Sequence, residues 1–266
     1  MLSEAIEKYR DDKWRRLEGI RLRTPEDVEA MVRDVGFCLA LTDVRTNMPS
    51  VYVGVCGRRE AHMPRNVQKD EESSKAWVLK DEVMRRGKVY YAKLAKGRAT
   101  FVSQELVPYF RAVYGLPKSH EKRELSPTAN KILRVLRREW EAATSDLRED
   151  AGIAERKDLT KAIDELQKRM KVIPYEVVYE PKFSYLWTIP EVRFPEEFKK
   201  RVGREKALVE IGRAFLSGFG LVEKGDFARS LGIKRPEAGA AFHSLVDEGA
   251  AHRIETGVYC LPELKQ

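Results

Sequence analysis

Lys157, Lys161 and Lys168 are spaced so that, at about 100° per residue, they fall within about 40° of one another on a helix. Leu159, Ile163, Leu166 and Met170 take the opposite side, and Asp164 alone interrupts the basic stripe. Lysine is a compact point charge, suited to phosphate oxygens and poorly suited to reading base edges. The face therefore suits contact with a polyanion backbone at low sequence preference. Arg156 at the helix start and Lys182 in a downstream loop add two cations on the same side. On an arbitrary helix such a stripe would only solvate the outer face. Its place in a repeated pattern argues for more.

That pattern is the pair of stretches Asp146-Leu147-Arg148-Glu149-Asp150-Ala151-Gly152-Ile153 and Asp226-Phe227-Ala228-Arg229-Ser230-Leu231-Gly232-Ile233, which lie 80 residues apart. Each precedes an amphipathic helix and two short strands, the outline of a winged helix-turn-helix, which lays one helix across a duplex groove. In the first copy, Ser126-Pro127 starts a helix that buries Ile132, Leu133, Leu136 and Trp140. A short helix over 146–151 ends at Gly152, where the bend calls for positive φ. The recognition helix spans 157–170, and a hairpin of 172–179 and 184–189 is joined by the wing Glu180-Pro181-Lys182-Phe183. The second copy runs through helices at 206–217, 226–231 and 236–248 to strands at 251–254 and 258–261. Its last helix shows Gly239, Ala240, His243, Ser244 and Asp247 outward, a small, nearly neutral face that suits packing. Lys234 and Arg235 at its N-terminus are the phosphate contacts of that unit.

Upstream, Leu2, Ile6, Tyr9, Leu17 and Ile20 share one side of a first helix, and Thr24-Pro25-Glu26-Asp27 caps a second that Gly36 closes. The runs 37–41 and 51–56 fit either strands or short buried helices. Residues 58–74 read as a loop, 77–84 as a helix, 88–96 as a strand or short helix, and Ser103 caps a helix that ends at Gly115. Aromatics interleave with cations at Lys88-Val89-Tyr90-Tyr91-Ala92-Lys93 and across Tyr175, Tyr179, Phe183, Tyr185 and Trp187. Such rings can stack unpaired bases, although in strands half of them face the core.

The 266 residues carry 50 Lys+Arg against 42 Asp+Glu, a net charge of +8, which favours acidic partners. Cys38, Cys56 and Cys260 are odd in number and widely separated, and the four histidines lack ligand spacing. No disulfide framework, metal site or cofactor is indicated, and a reducing, cytoplasmic location fits. The N-terminus lacks the apolar core of a signal peptide, and no run approaches the roughly 18 apolar residues of a membrane span.

The two repeats, Gly36-Phe37-Cys38-Leu39-Ala40-Leu41-Thr42-Asp43, Met48-Pro49-Ser50, and Trp77-Val78-Leu79-Lys80-Asp81 before Tyr90-Tyr91-Ala92-Lys93-Leu94 together resemble the AlkZ-like winged-helix proteins, closest to their AlkZ-related branch. That family includes DNA glycosylases that unhook interstrand crosslinks. The resemblance implies an α+β, mainly helical chain of three tandem winged helix-turn-helix units: a divergent first at 1–118, then 119–193 and 194–266. Active members carry a Gln-apolar-Gln or Gln-apolar-Asp motif that positions water near the sugar carbon. Here that place reads Leu39-Ala40-Leu41, and no glutamine occurs between Met1 and Val67. Leucine cannot hydrogen-bond water or stabilise an oxocarbenium ion.

The nearest carboxylate, two residues past the motif, is Asp43, the weak candidate for any remaining catalysis. Lys80 beside Asp81 offers an amine and an acid, but neighbours on a helix point about 100° apart, so a surface ion pair is the expectation. The sequence thus points to a DNA-binding relative of crosslink-repair glycosylases that reads duplex or distorted DNA through its backbone, with the glycosylase motif lost. An active glycosylase with an altered catalytic residue is the alternative. A transcription regulator or protein-interaction scaffold is a further one. If six phosphate contacts form, log K should fall with log salt at a slope of about −5, which a titration across a salt series reads directly.

Overall fold

The computed structural model describes residues 3–180 and 182–265. The chain is α+β and mainly helical, with three small antiparallel sheets set among the helices. The strands are β1 (Phe37–Leu39), β2 (Val89–Lys93), β3 (Ala99–Ser103), β4 (Glu141–Ala143), β5 (Ile173–Val178), β6 (Ser184–Thr188), β7 (Leu221–Val222), β8 (His252–Glu255) and β9 (Val258–Cys260). They pair in the orders β1-β3-β2, β4-β6-β5 and β7-β9-β8. In each sheet a short leading strand therefore pairs with the second strand of a later hairpin.

Local chemistry explains most of the helices. Thr24 accepts from the Asp27 N–H while the Asp27 carboxylate accepts from the Thr24 N–H, a capping box that starts the Pro25–Val35 helix. Ser126 Oγ accepts from the Ala129 N–H at 3.2 Å and begins the Pro127–Glu139 helix. Gly152, at φ +59°, makes the bend between the Thr144–Asp150 and Arg156–Lys168 helices. The ambiguous run at 51–56 is a helix capped by Ser50, and 37–39 is strand.

Several expectations need correction. The first helix, Glu4–Lys13, stops earlier than the apolar spacing implied, because Arg15 adopts a left-handed conformation at φ +59°. Leu17 and Ile20 are consequently exposed, and Trp14 is buried in their stead. Leu2 lies outside the described residues. Trp140, expected in the core, is 60% exposed: it turns the chain at φ +67° into β4, which carries its ring off the apolar stripe. Ser103 closes β3 and caps nothing with its side chain. After residue 193 the otherwise charged chain buries Phe194 and Phe198 beside Tyr90.

Two apolar clusters hold the chain. One is continuous across Phe37, Phe101 and Phe110 from the first third and Phe215, Phe227 and Phe242 from the last. The other gathers Ile132, Leu136, Leu147, Leu159, Leu166 and Trp187, while Met170 and Ile173 of the same stretch pack into the first. The Arg204–Phe219 helix runs through the larger cluster, close against the Pro25–Val35 helix. A Cβ on Gly218 would sit 3.0 Å from the Val35 carbonyl oxygen, and one on Gly36, at φ +77°, would lie 2.8 Å from Ala214 Cβ.

The C-terminal end of that helix is satisfied by the first helix. Buried Arg10 donates to the Phe219 and Leu221 carbonyls at 2.9 Å each, Trp14 Nε1 to Gly218 O at 2.7 Å, and the Tyr9 hydroxyl to Ser217 O at 2.6 Å. The Ser217, Gly218 and Phe219 carbonyls are ones a helix end leaves without partners, Leu221 lies just beyond in β7, and a cation there also meets the negative end of the helix dipole. Arg10→Met should fill most of the volume and still cost about 2–4 kcal/mol, because two buried acceptors lose their donors. A denaturant midpoint unchanged from the parent protein would contradict this.

Candidate functional site

The Arg156–Lys168 helix does not stand free. Its apolar face, Leu159, Ile163 and Leu166, is buried in the smaller core, and its flank docks on β2. The Lys93 backbone N–H donates to Gln167 Oε1 at 3.0 Å, and Lys93 Nζ donates to Asp164 Oδ1 at 2.8 Å. Asp164, which only interrupted the basic stripe in the sequence, thus joins Gln167 in attaching the helix. Lys168 extends beside Gly97, where a Cβ would lie 3.1 Å from its Cε. Arg156, Lys157 and Lys161, nearer the N-terminal end, are exposed.

The β5–β6 hairpin closes on the Glu71–Arg86 helix along the same seam. Tyr179 donates to Asp81 Oδ2 at 2.6 Å, Lys80 Nζ to the Tyr185 hydroxyl at 2.7 Å, and Arg85 to Val177 O at 2.9 Å. Arg193 donates to Met84 O at 2.9 Å. Between helix, hairpin and the first third of the chain lies a cavity of about 490 Å³. Leu39, Ala40, Leu41 and Asp43 form part of one wall. Trp77, Lys80 and Tyr91 form another, and Phe183, Tyr185 and Trp187 face in from the hairpin. Arg156, Thr160 and Gln167 complete it from the helix. The volume is ample for a nucleotide-sized group, with aromatic rings for stacking and cations at the edge.

Asp43 is committed. Oδ1 accepts from the Arg45 N–H at 3.0 Å and Nε at 2.9 Å, while Oδ2 accepts from Arg45 Nη2 at 3.0 Å and Arg98 Nε at 2.5 Å. Four donors occupy the roughly four acceptor sites of a carboxylate. Hydrogen bonds from Arg45 and then Arg98, against the opposing effect of burial, hold this carboxyl well below the usual range. It is a fixed anion on the pocket wall with no site left to accept a proton from water.

Lys80 and Asp81 differ from the surface pair expected of them. Both are buried, at 4% and 1% exposure, with Nζ 2.7 Å from Asp81 Oδ1. The long lysine stem bends back toward its neighbour, overcoming the angle between their Cα–Cβ directions. Nζ also lies 4.0 Å from the centre of the Trp77 ring and 5.2 Å from that of Tyr185. Burial lowers the ammonium's pKa below the ordinary lysine value, outweighing the pull of Asp81. Burial and the Asp81 hydrogen bond raise the Tyr179 hydroxyl to about 12.

Gln167 was not singled out in the sequence. It is 3% exposed, and with Oε1 tied to β2 its Nε2 takes no hydrogen bond among the described residues, on the wall of the cavity. A glutamine between Leu166 and Met170, on the flank of an apolar face, was the available signal. The interleaved aromatics divide as strand alternation dictates: Tyr90 is core, while Tyr91, Phe183, Tyr185 and Trp187 reach the cavity. Lys182 is exposed beside Phe183, and its neighbour Pro181 in the wing lies outside the described residues. Lys234 and Arg235 are exposed at the start of the Arg235–Asp247 helix, where Arg235 borders a separate cavity of about 310 Å³. Burial raises the Cys38 and Cys56 thiols to about 12, so neither is a thiolate nucleophile at neutral pH. Among the described residues no helix is long and apolar enough to cross a membrane.

Small antiparallel sheets among helices, with the Leu39-Ala40-Leu41 stretch on a pocket wall, place the chain in an AlkZ-like fold class. The chain belongs to the AlkZ-related family, whose model matches residues 22–210. The DNA glycosylase AlkZ of Streptomyces sahachiroi is similar in structure, with a TM-score of 0.60 at 12% identity, over 97% of this chain and 69% of that one. At that identity the likeness concerns the fold. A Corynebacterium diphtheriae protein of known structure aligns over 71% of this chain and 38% of its own at 15% identity, but its TM-score of 0.22 carries no argument. No curated protein matches the sequence.

The Asp43 cluster sets a pH dependence. A carboxyl whose folded pKa is depressed stabilises the fold in full above its unfolded value of about 4, and that contribution is lost as the pH falls toward the folded value. Asp43→Asn should therefore lower stability at pH 7 by about 1–3 kcal/mol, with the gap to the parent about 1 kcal/mol smaller at pH 3. Denaturant unfolding at the two pH values checks this, and an equal gap at both would contradict it.

Proposed function

We propose that this chain is a DNA-binding relative of the crosslink-repair glycosylases, built of three tandem winged-helix units at 1–118, 119–193 and 194–266. The threefold recurrence of one sheet order, a leading strand paired to the far strand of a hairpin, supports that division. In this reading Arg156, Lys157 and Lys161 meet phosphates at the mouth of the cavity, with Lys182 extending the contact along the wing. Lys168, laid along Gly97, contributes at the margin. Lys234 and Arg235 supply a smaller contact from the third unit.

The observation that carries the proposal is the position of the exposed cations relative to the cavity: Arg156 both opens the basic stripe and lines the pocket. A backbone held along that stripe places a neighbouring nucleotide within reach of the aromatic walls. A nucleotide turned out of the stack, or already unpaired in distorted DNA, could then occupy the cavity. Where the family's water-positioning residues would stand, the wall offers Leu39 and Leu41, which hold no water. Asp43 is the specific observation that keeps an active glycosylase as the second reading, since its carboxylate lies on the same wall. Its four donors count against a role as general base.

The test is binding to a labelled duplex, intact or carrying an N7-alkylguanine or a crosslink, with base release followed in the same mixtures. Binding without release is expected. Replacing Arg156, Lys157 and Lys161 together by alanine should weaken affinity by at least about tenfold at moderate salt and flatten the salt slope by about 3. Release that disappears in Asp43→Asn would favour the second reading. Unchanged affinity in the triple variant would remove the stripe from the interface.

A further inference from the structure

Two lysines, Lys80 and Lys93, lie on the wall of the cavity. Lys93 has a half-exposed side chain and its Nζ is committed to Asp164. Lys80 combines contact with the cavity and a side chain only 5% exposed, among Trp77, Tyr91 and Tyr185. It is also the residue whose neighbour offers a place for a proton: Asp81 Oδ1 lies 2.7 Å from Nζ as an ion pair and has no hydrogen-bond partner among the described residues. An amine desolvated by apolar walls, beside a carboxylate that can accept and return its proton, is the arrangement that favours addition to a carbonyl carbon.

We propose that Lys80 is a carbonyl-reactive amine that forms an imine with the ring-opened aldehyde of a base-less deoxyribose seated in the cavity. The inference rests on the DNA-binding reading above, and it adds a chemical step that the leucine-walled motif position cannot perform. The ammonium passes a proton to Asp81, and the neutral amine attacks C1′ of the aldehyde. The nitrogen's surplus proton moves to the former carbonyl oxygen, giving a carbinolamine. Asp81 then returns its proton to that hydroxyl, which leaves as water, and an iminium joins Nζ to C1′. The net change exchanges one C=O for one C=N and releases one water, with no oxidant or reductant. Burial lowers the ammonium pKa below the ordinary lysine value, which favours the neutral amine. The Tyr185 hydroxyl, 2.7 Å from Nζ, positions the amine.

The experiment uses the full chain and a labelled duplex carrying one base-less site, with the intact duplex beside it. Binding is read by fluorescence anisotropy, and cyanoborohydride is then added to reduce any imine to a stable secondary amine. Peptide mapping of the wild-type adduct should find it on Lys80, and a folded Lys80→Met should lose it. Mapping on the wild-type chain keeps the test decisive even if Lys80→Met fails to fold. An adduct mapped to the exposed Lys157 or Lys161 would overturn the proposal, as would its survival in a folded Lys80→Met. Binding with no adduct would overturn the proposal and leave the DNA-binding reading intact. No binding to either duplex would overturn both.

Discussion

The structure turns on one small junction, the attachment of the Arg156–Lys168 helix to β2 through Gln167 and Asp164. The junction joins a hydrogen bond to a strand N–H and an ion pair of half-exposed side chains. Neither is strong alone, since a partly exposed pair contributes at most about 1 kcal/mol. Their effect is geometric. They turn a helix that could have projected into solvent so that one flank becomes the wall of a cavity, leaving Arg156, Lys157 and Lys161 at its edge. Without that contact the chain would present a basic helix and a separate aromatic hairpin. With it, both face a common space.

The opposite side of the molecule is fixed more firmly. A fully buried guanidinium, two glycines that let the backbone pack closely, and a run of phenylalanines lock the Arg204–Phe219 helix into the larger core. The first and last thirds of the chain therefore share one apolar interior, while the middle third keeps its own and meets the rest through Met170 and Ile173 and a seam of hydrogen bonds. Apolar burial sets the rigid frame, and hydrogen bonds set the register of the element that completes the pocket.

Much of this was legible in the residues, for reasons that can be named. Thr24-Pro25, Ser126-Pro127 and Gly152 act locally, so cap and bend chemistry located those helices without knowledge of the rest. The repeat at Asp146 and Asp226 likewise anticipated the short helix, longer helix and hairpin that recur at 144–188 and 226–260. β3, β4 and β7 were missed because strands of two to five residues, lodged among helices, offer no sustained alternation. The first sheet, β1-β3-β2, has no such repeat in the sequence, and a unit at 1–118 was implied by family resemblance and not by periodicity. Lys80 and Asp81 were misjudged for a tertiary reason: their partners Tyr185 and Tyr179 lie about a hundred positions away, and nothing local announces that the hairpin will cover them. Gln167 escaped for the same cause, its partner being a backbone N–H on a distant strand.

Arg98 shows what such long-range assembly entails. Its Nε holds Asp43 on the pocket wall, while its Nη1 donates to the Ser230 carbonyl at 3.2 Å, in the last third of the chain. The middle third supplies the helix and the hairpin. The cavity is thus lined by two distant stretches of sequence and braced by a third through Arg98. A lineage could trade the outer faces of these segments freely, but the pocket would be inherited whole or lost whole.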